Sequence, residues 1–240
     1  MSDFRRLRHL RLVMWPNLAQ CGFELPRDMH RLKRLETLEL DYSNIYQTNI
    51  RWRRGFIFNS MVQHKKTFPN LREFALRMPY HAYAEKRFQE YAKDMVRFLT
   101  QHAHTLERIV LPPWHASNVH QPDFGVAFSR PAKLRVLRIS YDLSLRLAPP
   151  DSKTVLTSLT YLWLEAVSSR PTRWPRAPFI KKLHLVLTMS VTPITTPNFT
   201  LLASAYPNLE EICIQLYSEV RHMSRLLILN SADAAYRALC

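Results

Sequence analysis

A six-residue pattern, aliphatic-x-x-apolar-x-aliphatic, recurs along the whole chain and limits its fold more than any other feature. It reads Leu7/Leu10/Leu12, Leu35/Leu38/Leu40, Leu71/Phe74/Leu76 and Leu106/Ile109/Leu111. It continues as Leu134/Leu137/Ile139, Leu159/Leu162/Leu164, Ile180/Leu183/Leu185 and Leu209/Ile212/Ile214. Successive starts lie 28, 36, 35, 28, 25, 21 and 29 residues apart. One such hexapeptide is common in a leucine-rich chain, but a series spread over nearly all of 240 residues is an internal repeat. The second and third apolar positions are two residues apart, so they point to one side of a short strand. The first sits where the chain enters the strand and packs beneath it. The connections are long enough for crossovers, so successive strands run parallel. Each unit alone leaves its apolar side bare, and stacking buries one continuous core.

The connections carry helical signals of their own. His81–Thr105 sets Phe88, Tyr91, Ala92, Met95, Phe98, Leu99 and His102 on one helical stripe, with Glu85, Lys86, Glu90, Lys93 and Asp94 mainly opposite. Phe56–Lys66 and Phe199–Ala205 read as shorter helices, each followed by a matching tetrapeptide: Phe68-Pro69-Asn70-Leu71 and Tyr206-Pro207-Asn208-Leu209. Proline there stops the helix, and asparagine begins the turn into the strand. The 21- and 25-residue units leave room only for loops or single turns. Arg225–Asn230 reads as a ninth strand and Ala232–Cys240 as a short helix, making 225–240 a C-terminal closing segment.

The hexads and the two aromatic-Pro-Asn-Leu tetrapeptides resemble the leucine-rich repeats of F-box/leucine-rich-repeat proteins, particularly the irregular fungal type, over residues 4–217. The resemblance implies one α/β leucine-rich-repeat solenoid over residues 1–240. Such a solenoid is a horseshoe of about eight short parallel strands, with helices or loops on its convex side. It also implies a non-catalytic protein-interaction module, similar to the substrate-recognition part of a ubiquitin-ligase receptor. Two departures stand out. The ninth position, asparagine in regular repeats, reads Trp15, Ser43, Pro79, Trp114, Asp142, Val167, Thr188 and Tyr217, so no continuous asparagine ladder is expected. Leu25-Pro26-Arg27-Asp28-Met29 looks like the Leu-Pro opening of an F-box, yet Leu35 starts the next strand too soon for the remaining F-box helices. Direct binding to the Skp-type adaptor is therefore not expected. Residues 1–6 are too few to cap the core, so an apolar edge is expected near Leu7, Leu10 and Leu12, covered in a longer parent protein by an N-terminal domain.

In the resembling fold the strands line the concave face, where partners bind. The third, fifth and seventh positions of each hexad should face outward there. They include five basic residues (Arg11, Arg77, Arg108, Arg138, Lys182) and five acidic ones (Glu39, Asp41, Glu73, Glu165, Glu211). The expected binding face is therefore neutral, although the chain carries 34 Lys and Arg against 19 Asp and Glu, a net +15. Tyr161 and Trp163 lie two apart on one strand, and outward aromatics of this kind anchor interfaces. Arg138 and His184 flank them on the neighbouring strands, and Glu165 completes the expected partner-binding patch. The competing reading buries Trp163 beneath a loop. An alternative function, binding of nucleic acid or acidic protein through convex loops, rests on Arg51, Trp52, Arg53 and Arg54, where arginine and tryptophan interleave. The plainer reading of that segment is a solvated loop with Trp52 packed on the next repeat.

Other classes are excluded or unsupported. Gly22, Gly55 and Gly125 lie too far apart for a glycine-rich phosphate loop. No apolar run has the length of a membrane span, and the N-terminus lacks a secretory apolar core. Cys21, Cys213 and Cys240 form no CxxC pair and no even framework, which fits an intracellular compartment, cytoplasm or nucleus. His102 with His104 and His115 with His120 lack a carboxylate or cysteine at metal-ligand spacing, and HExxH and GxSxG are absent. No catalytic residue, metal or cofactor is expected.

Overall fold

The computed structural model describes residues 6–13, 32–42, 68–78, 88–112, 133–140, 144, 147, 156–167, 173–189, 199–218 and 224–230. They fall into two compact units. The first holds β1 (His9–Val13), β2 (Thr37–Asp41), β3 (Glu73–Arg77) and β4 (Arg108–Val110). The second holds β5 (Val136–Ser140), β6 (Tyr161–Val167), β7 (Lys182–Met189), β8 (Glu211–Ser218) and β9 (Ser224–Asn230). Each of the eight hexapeptides thus supplies one strand, and within each unit these strands pair in parallel in chain order.

The register equates hexad positions. Leu10, Leu38, Phe74 and Ile109 stand side by side in the first unit, as do Leu137, Leu162, Leu183 and Ile212 in the second. All of these except Leu10 are buried. The two-residue spacing of the apolar positions therefore acts as expected, sending one side of β2 to β8 into the core of their unit, while Leu10 and Leu12 of β1 are half-buried. β6 to β8 run beyond the hexad, and β6 shifts register against β7 between Leu164 and Val167.

A turn repeats before the strands. The amides of Leu35, Leu71, Leu159, Ile180 and Leu209 donate to the carbonyls three residues earlier, at 3.1–3.3 Å. Phe68, Leu156, Ala177 and Tyr206, which open four of these turns, are buried. Asn70 Nδ2 donates to the Lys33 carbonyl and Asn208 Nδ2 to the Pro178 carbonyl, each at 2.8 Å. Each asparagine therefore ties its turn to the corresponding turn of the preceding repeat. At the strand entrances one carbonyl accepts two successive amides: Arg8 from Glu36 and Thr37, Glu36 from Arg72 and Glu73, and Lys181 from Glu210 and Glu211.

Two helices lie among the described residues, α1 (Phe88–His102) and α2 (Phe199–Ala205). Met95, Phe98, Leu99 and His102 are buried, while Lys93 and Arg97 are exposed, as the helical stripe requires. Phe98 packs on Phe74 at a centroid distance of 5.3 Å and on Phe68 at 6.3 Å, which seats α1 against β3 and the turn before it. The His102 carbonyl ends α1 by accepting the amides of Thr105 and Leu106 at 2.9 and 3.1 Å. β9 pairs with β8 antiparallel. The connection from Ser218 to Ser224 is too short for a crossover, so only a hairpin return is open to it. The F-box-like Leu25–Met29, the helix expected over 56–66 and the closing helix over 232–240 lie outside the described residues.

Candidate functional site

The side of the strands opposite the core carries the charged positions of the hexads. In the first unit Arg11 Nη2 donates to Asp41 Oδ2 at 2.7 Å, and its Nε lies 3.5 Å from Glu39 Oε1. Arg77 Nε donates to the same Glu39 oxygen at 2.7 Å, and Arg108 pairs with Glu73 at 3.8 Å. In the second unit Arg138 pairs with Glu165, and Lys182 Nζ donates to Glu211 Oε2 at 2.9 Å. Every one of the expected basic and acidic face residues is thus paired across adjacent strands. Some partners stand directly opposite, such as Glu73 and Arg108, and others lie on the diagonal, such as Arg11 and Asp41.

One part of this face is built differently. The fifth hexad position of β5, β6, β7 and β8 places Arg138, Trp163, His184 and Cys213 opposite one another in register. The strand spacing of about 4.8 Å brings each within reach of the next. The Arg138 guanidinium carbon stands 4.1 Å from the Trp163 ring centroid. Trp163 and His184 stack with centroids 3.8 Å apart and planes inclined by 7°. His184 Nε2 lies 3.8 Å from Cys213 Sγ. Arg138 Nε donates to Glu165 Oε1 at 2.6 Å, and its Nη2 reaches the same oxygen. The guanidinium is therefore held by a carboxylate at its edge and an indole at its face, a geometry that lysine does not reproduce.

Electrostatics in the row favour neutral partners beyond Arg138. Burial lowers the His184 pKa from its ordinary 6.5 and Arg138 adds to this, while a hydrogen bond with Gln215 opposes it. Burial raises the Cys213 thiol above its ordinary 9.0, and Glu211 adds to that. The two shifts run against a thiolate–imidazolium pair, so the contact is a neutral thiol beside a neutral imidazole. Burial raises the Tyr161 phenol, the nearby Cys213 and Glu211 add to the shift, and Arg138 and Lys182 pull it down. Trp163 Nε1 and Ser140 Oγ are buried without a hydrogen-bond partner, both on the β5–β6 part of this face. Unmet polar groups of this kind cost stability, and the apolar rows carry none of that cost.

The expected patch residues come together, with a change in exposure. Arg138, Tyr161 and Trp163 are half-buried, whereas Glu165 and His184 are each only 8% exposed. Glu165 lies under Arg138, and His184 lies between Trp163 and Cys213, so neighbours on the same face cover them. Asp41, Val110, Pro112 and Ser140, also expected to face outward, are buried too. Trp163 is covered on both faces by side chains of adjacent strands. The Cys213–His184 contact has no signature in sequence spacing, since 29 residues separate the pair. It follows only once both are placed at the fifth position of neighbouring hexads. Arg51, Trp52, Arg53 and Arg54 lie outside the described residues. Among the described residues no group of three or more His, Cys, Asp or Glu is placed to hold a metal ion, and no helix is long and apolar enough to cross a membrane.

No family model, curated protein or solved structure matches the chain. Its class is defined by its own repeat: an α/β arrangement of parallel strands stacked in solenoid-like order, with a charge-paired face opposite the core.

Proposed function

We propose that the chain is a non-catalytic protein-interaction module, a leucine-rich-repeat solenoid that receives a protein partner on the strand face of its second unit. The resemblance to the substrate-receptor part of F-box/leucine-rich-repeat ubiquitin ligases points to substrate recognition as the biological role. The observation that carries the reading is the Arg138–Trp163–His184 stack. Its side chains are fixed before any partner arrives, so binding costs little rotamer entropy. Tryptophan and arginine are also the residue types that dominate interface energies. The unmet Trp163 and Ser140 groups support a site maintained against local stability.

The test compares Trp163→Ala with Leu162→Ala, adjacent residues on opposite sides of β6. Proteins cross-linked to the wild-type chain in cell extract should be lost from folded Trp163→Ala. Leu162 is fully buried, and its truncation should destabilise the chain by roughly 2–5 kcal/mol. An unchanged set of cross-linked proteins with Trp163→Ala would remove this face from the interaction. Binding to random RNA or DNA that weakens steeply from roughly 50 to 200 mM salt would instead favour the basic, polyanion-binding alternative. That alternative draws on the net charge of +15, whose excess lies off the paired face.

A further inference from the structure

The first unit ends in a strand whose chemistry differs from that of its neighbours. Among the described residues β1 pairs with β2 alone. Its repeat leucines, Leu7, Leu10 and Leu12, are half-buried, whereas the equivalent Leu35, Leu38 and Leu40 of the next repeat are 0% exposed. Residues 6–13 read Arg-Leu-Arg-His-Leu-Arg-Leu-Val, with three arginines, a histidine and no acidic side chain. Two of the arginines already follow the pairing rule of the repeat on their inner side, Arg8 meeting Glu36 at 3.6 Å and Arg11 meeting Glu39 and Asp41. Along the row that starts at Arg8 the sign alternates, through Glu36 and Arg72 to Glu107. Continued outward by one strand, the same rule calls for acidic residues opposite Arg8 and Arg11 and aliphatic ones opposite Leu10 and Leu12.

We propose that the outer edge of β1 docks an extended acidic peptide segment, with acidic residues three apart opposite Arg8 and Arg11 and aliphatic residues opposite Leu10 and Leu12, which adds to the sheet as a further strand. Backbone hydrogen bonds would supply affinity, and these side chains would supply selectivity. A second copy of this chain is a poor occupant, because it would bring together two basic strands with no acidic side chain between them over residues 6–13. The charges thus guard the edge against self-pairing while leaving it open to a segment of opposite sign. The surface is separate from the Trp163 face and does not depend on it.

The test uses a short, blocked, fluorescein-labelled peptide containing Glu-Ser-Val-Glu-Val, which matches the positions from Arg8 to Leu12, beside the same peptide with lysine for glutamate. The full chain should bind the glutamate peptide about tenfold to a hundredfold more tightly than the lysine peptide, the span expected when two cross-strand pairs change sign. Binding should slow exchange at those amides of residues 9–13 that point away from β2. Arg8→Glu should narrow or reverse the preference. Arg8 is 63% exposed and its pair with Glu36 is long, so the substitution leaves the fold intact, which circular dichroism would verify. Equal binding of the two peptides would overturn the proposal, as would binding that leaves β1 exchange unchanged. Strong protection of those outward amides in the protein alone would show that another segment of the chain holds the edge. Protection that grows with protein concentration would show self-association. Either result also overturns it.

Discussion

His102 gives the first unit a built-in sensitivity to acid. The ring is 3% exposed, lies 4.7 Å from Phe98 and 6.0 Å from Phe68 between centroids, and has a buried Nε2 with no hydrogen-bond partner. Burial lowers its pKa to about 4 from the ordinary 6.5. His104 contributes in the same direction, and a hydrogen bond to the Phe68 backbone opposes it. A folded-state value below the unfolded one means that the fold prefers the neutral ring. Above pH 6.5 the ring is neutral in both states and stability is independent of it. As pH falls from 6.5 towards 4, the unfolded chain takes up a proton that the folded chain refuses, so stability declines. Each unit of pKa difference corresponds to about 1.36 kcal/mol, which puts the full loss at about 3 kcal/mol and the loss by pH 5 at about 2 kcal/mol. Urea unfolding followed by circular dichroism at pH 7.5 and pH 5, for wild type and His102→Phe, measures this. Phenylalanine keeps the aromatic packing and removes the titration, while the carboxylates titrate alike in both proteins. His102→Phe should therefore lose about 2 kcal/mol less than wild type over this interval. Equal losses would show that the ring is hydrated or protonated in the folded state, and the burial argument would fail.

The remaining predictions concern single contacts. Arg138→Ala strips Glu165 of its guanidinium and should destabilise the second unit by about 1–3 kcal/mol, with Arg138→Lys recovering only part; urea midpoints decide it, and full recovery by lysine would show that bidentate stacking is unimportant. Asn70→Ala and Asn208→Ala should each cost about 0.5–1.5 kcal/mol through the lost inter-repeat hydrogen bond, measured the same way. Cys213 should alkylate slowly with iodoacetamide at pH 7 and accelerate only as pH passes its ordinary value, read by peptide mass spectrometry; fast modification at pH 7 would establish a thiolate. A double-mutant cycle on Lys182, which is exposed, and Glu211, which is partly exposed, should yield less than about 1 kcal/mol.

What was legible in the sequence followed the apolar spacing. Positions two apart had to share a side, so all eight strands, and the register within each unit, could be read from the apolar hexad positions alone. The stripe from Met95 to His102 was legible for the same reason, because helical period and burial agree there. The turns were only half visible. Phe68-Pro69-Asn70-Leu71 and Tyr206-Pro207-Asn208-Leu209 stood out, but Leu156-Thr157-Ser158-Leu159 and Ala177-Pro178-Phe179-Ile180 make the same backbone turn with little residue identity in common. A hydrogen bond between main-chain atoms constrains conformation more than side-chain type, which is why sequence matching missed them. The direction of β9 was fixed by the length of a connection rather than by any residue within the strand. The burial of Glu165 and His184 was not legible either. A strand pattern assigns a side chain to a face and says nothing of what its neighbours on that face will cover.

The charge pairing has a consequence for recognition that net charge alone conceals. A protein of +15 invites the expectation of electrostatic steering, yet the charged face positions of the second unit meet partners within the sheet. Charges that already satisfy one another offer a ligand little net attraction, and a ligand that takes one partner must leave the other unpaired. Discrimination on this face therefore has to come from shape, from the edges of Tyr161 and Trp163, and from the cost of disturbing the pairs. The effect should be strongest at Arg138, whose carboxylate partner Glu165 is nearly buried and whose loss could not be made good by water. At Lys182 and Glu211, exposed side chains exchange a protein partner for solvent or ligand with little penalty. A partner seated over the second unit would then gain specificity near β5 and β6 and tolerate variation towards β8. Alanine substitution should reproduce that gradient in its binding, steep at Arg138 and Trp163 and shallow at Lys182 and Glu211. A gradient in the opposite sense would mean that rim charge, rather than the stacked row, governs recognition.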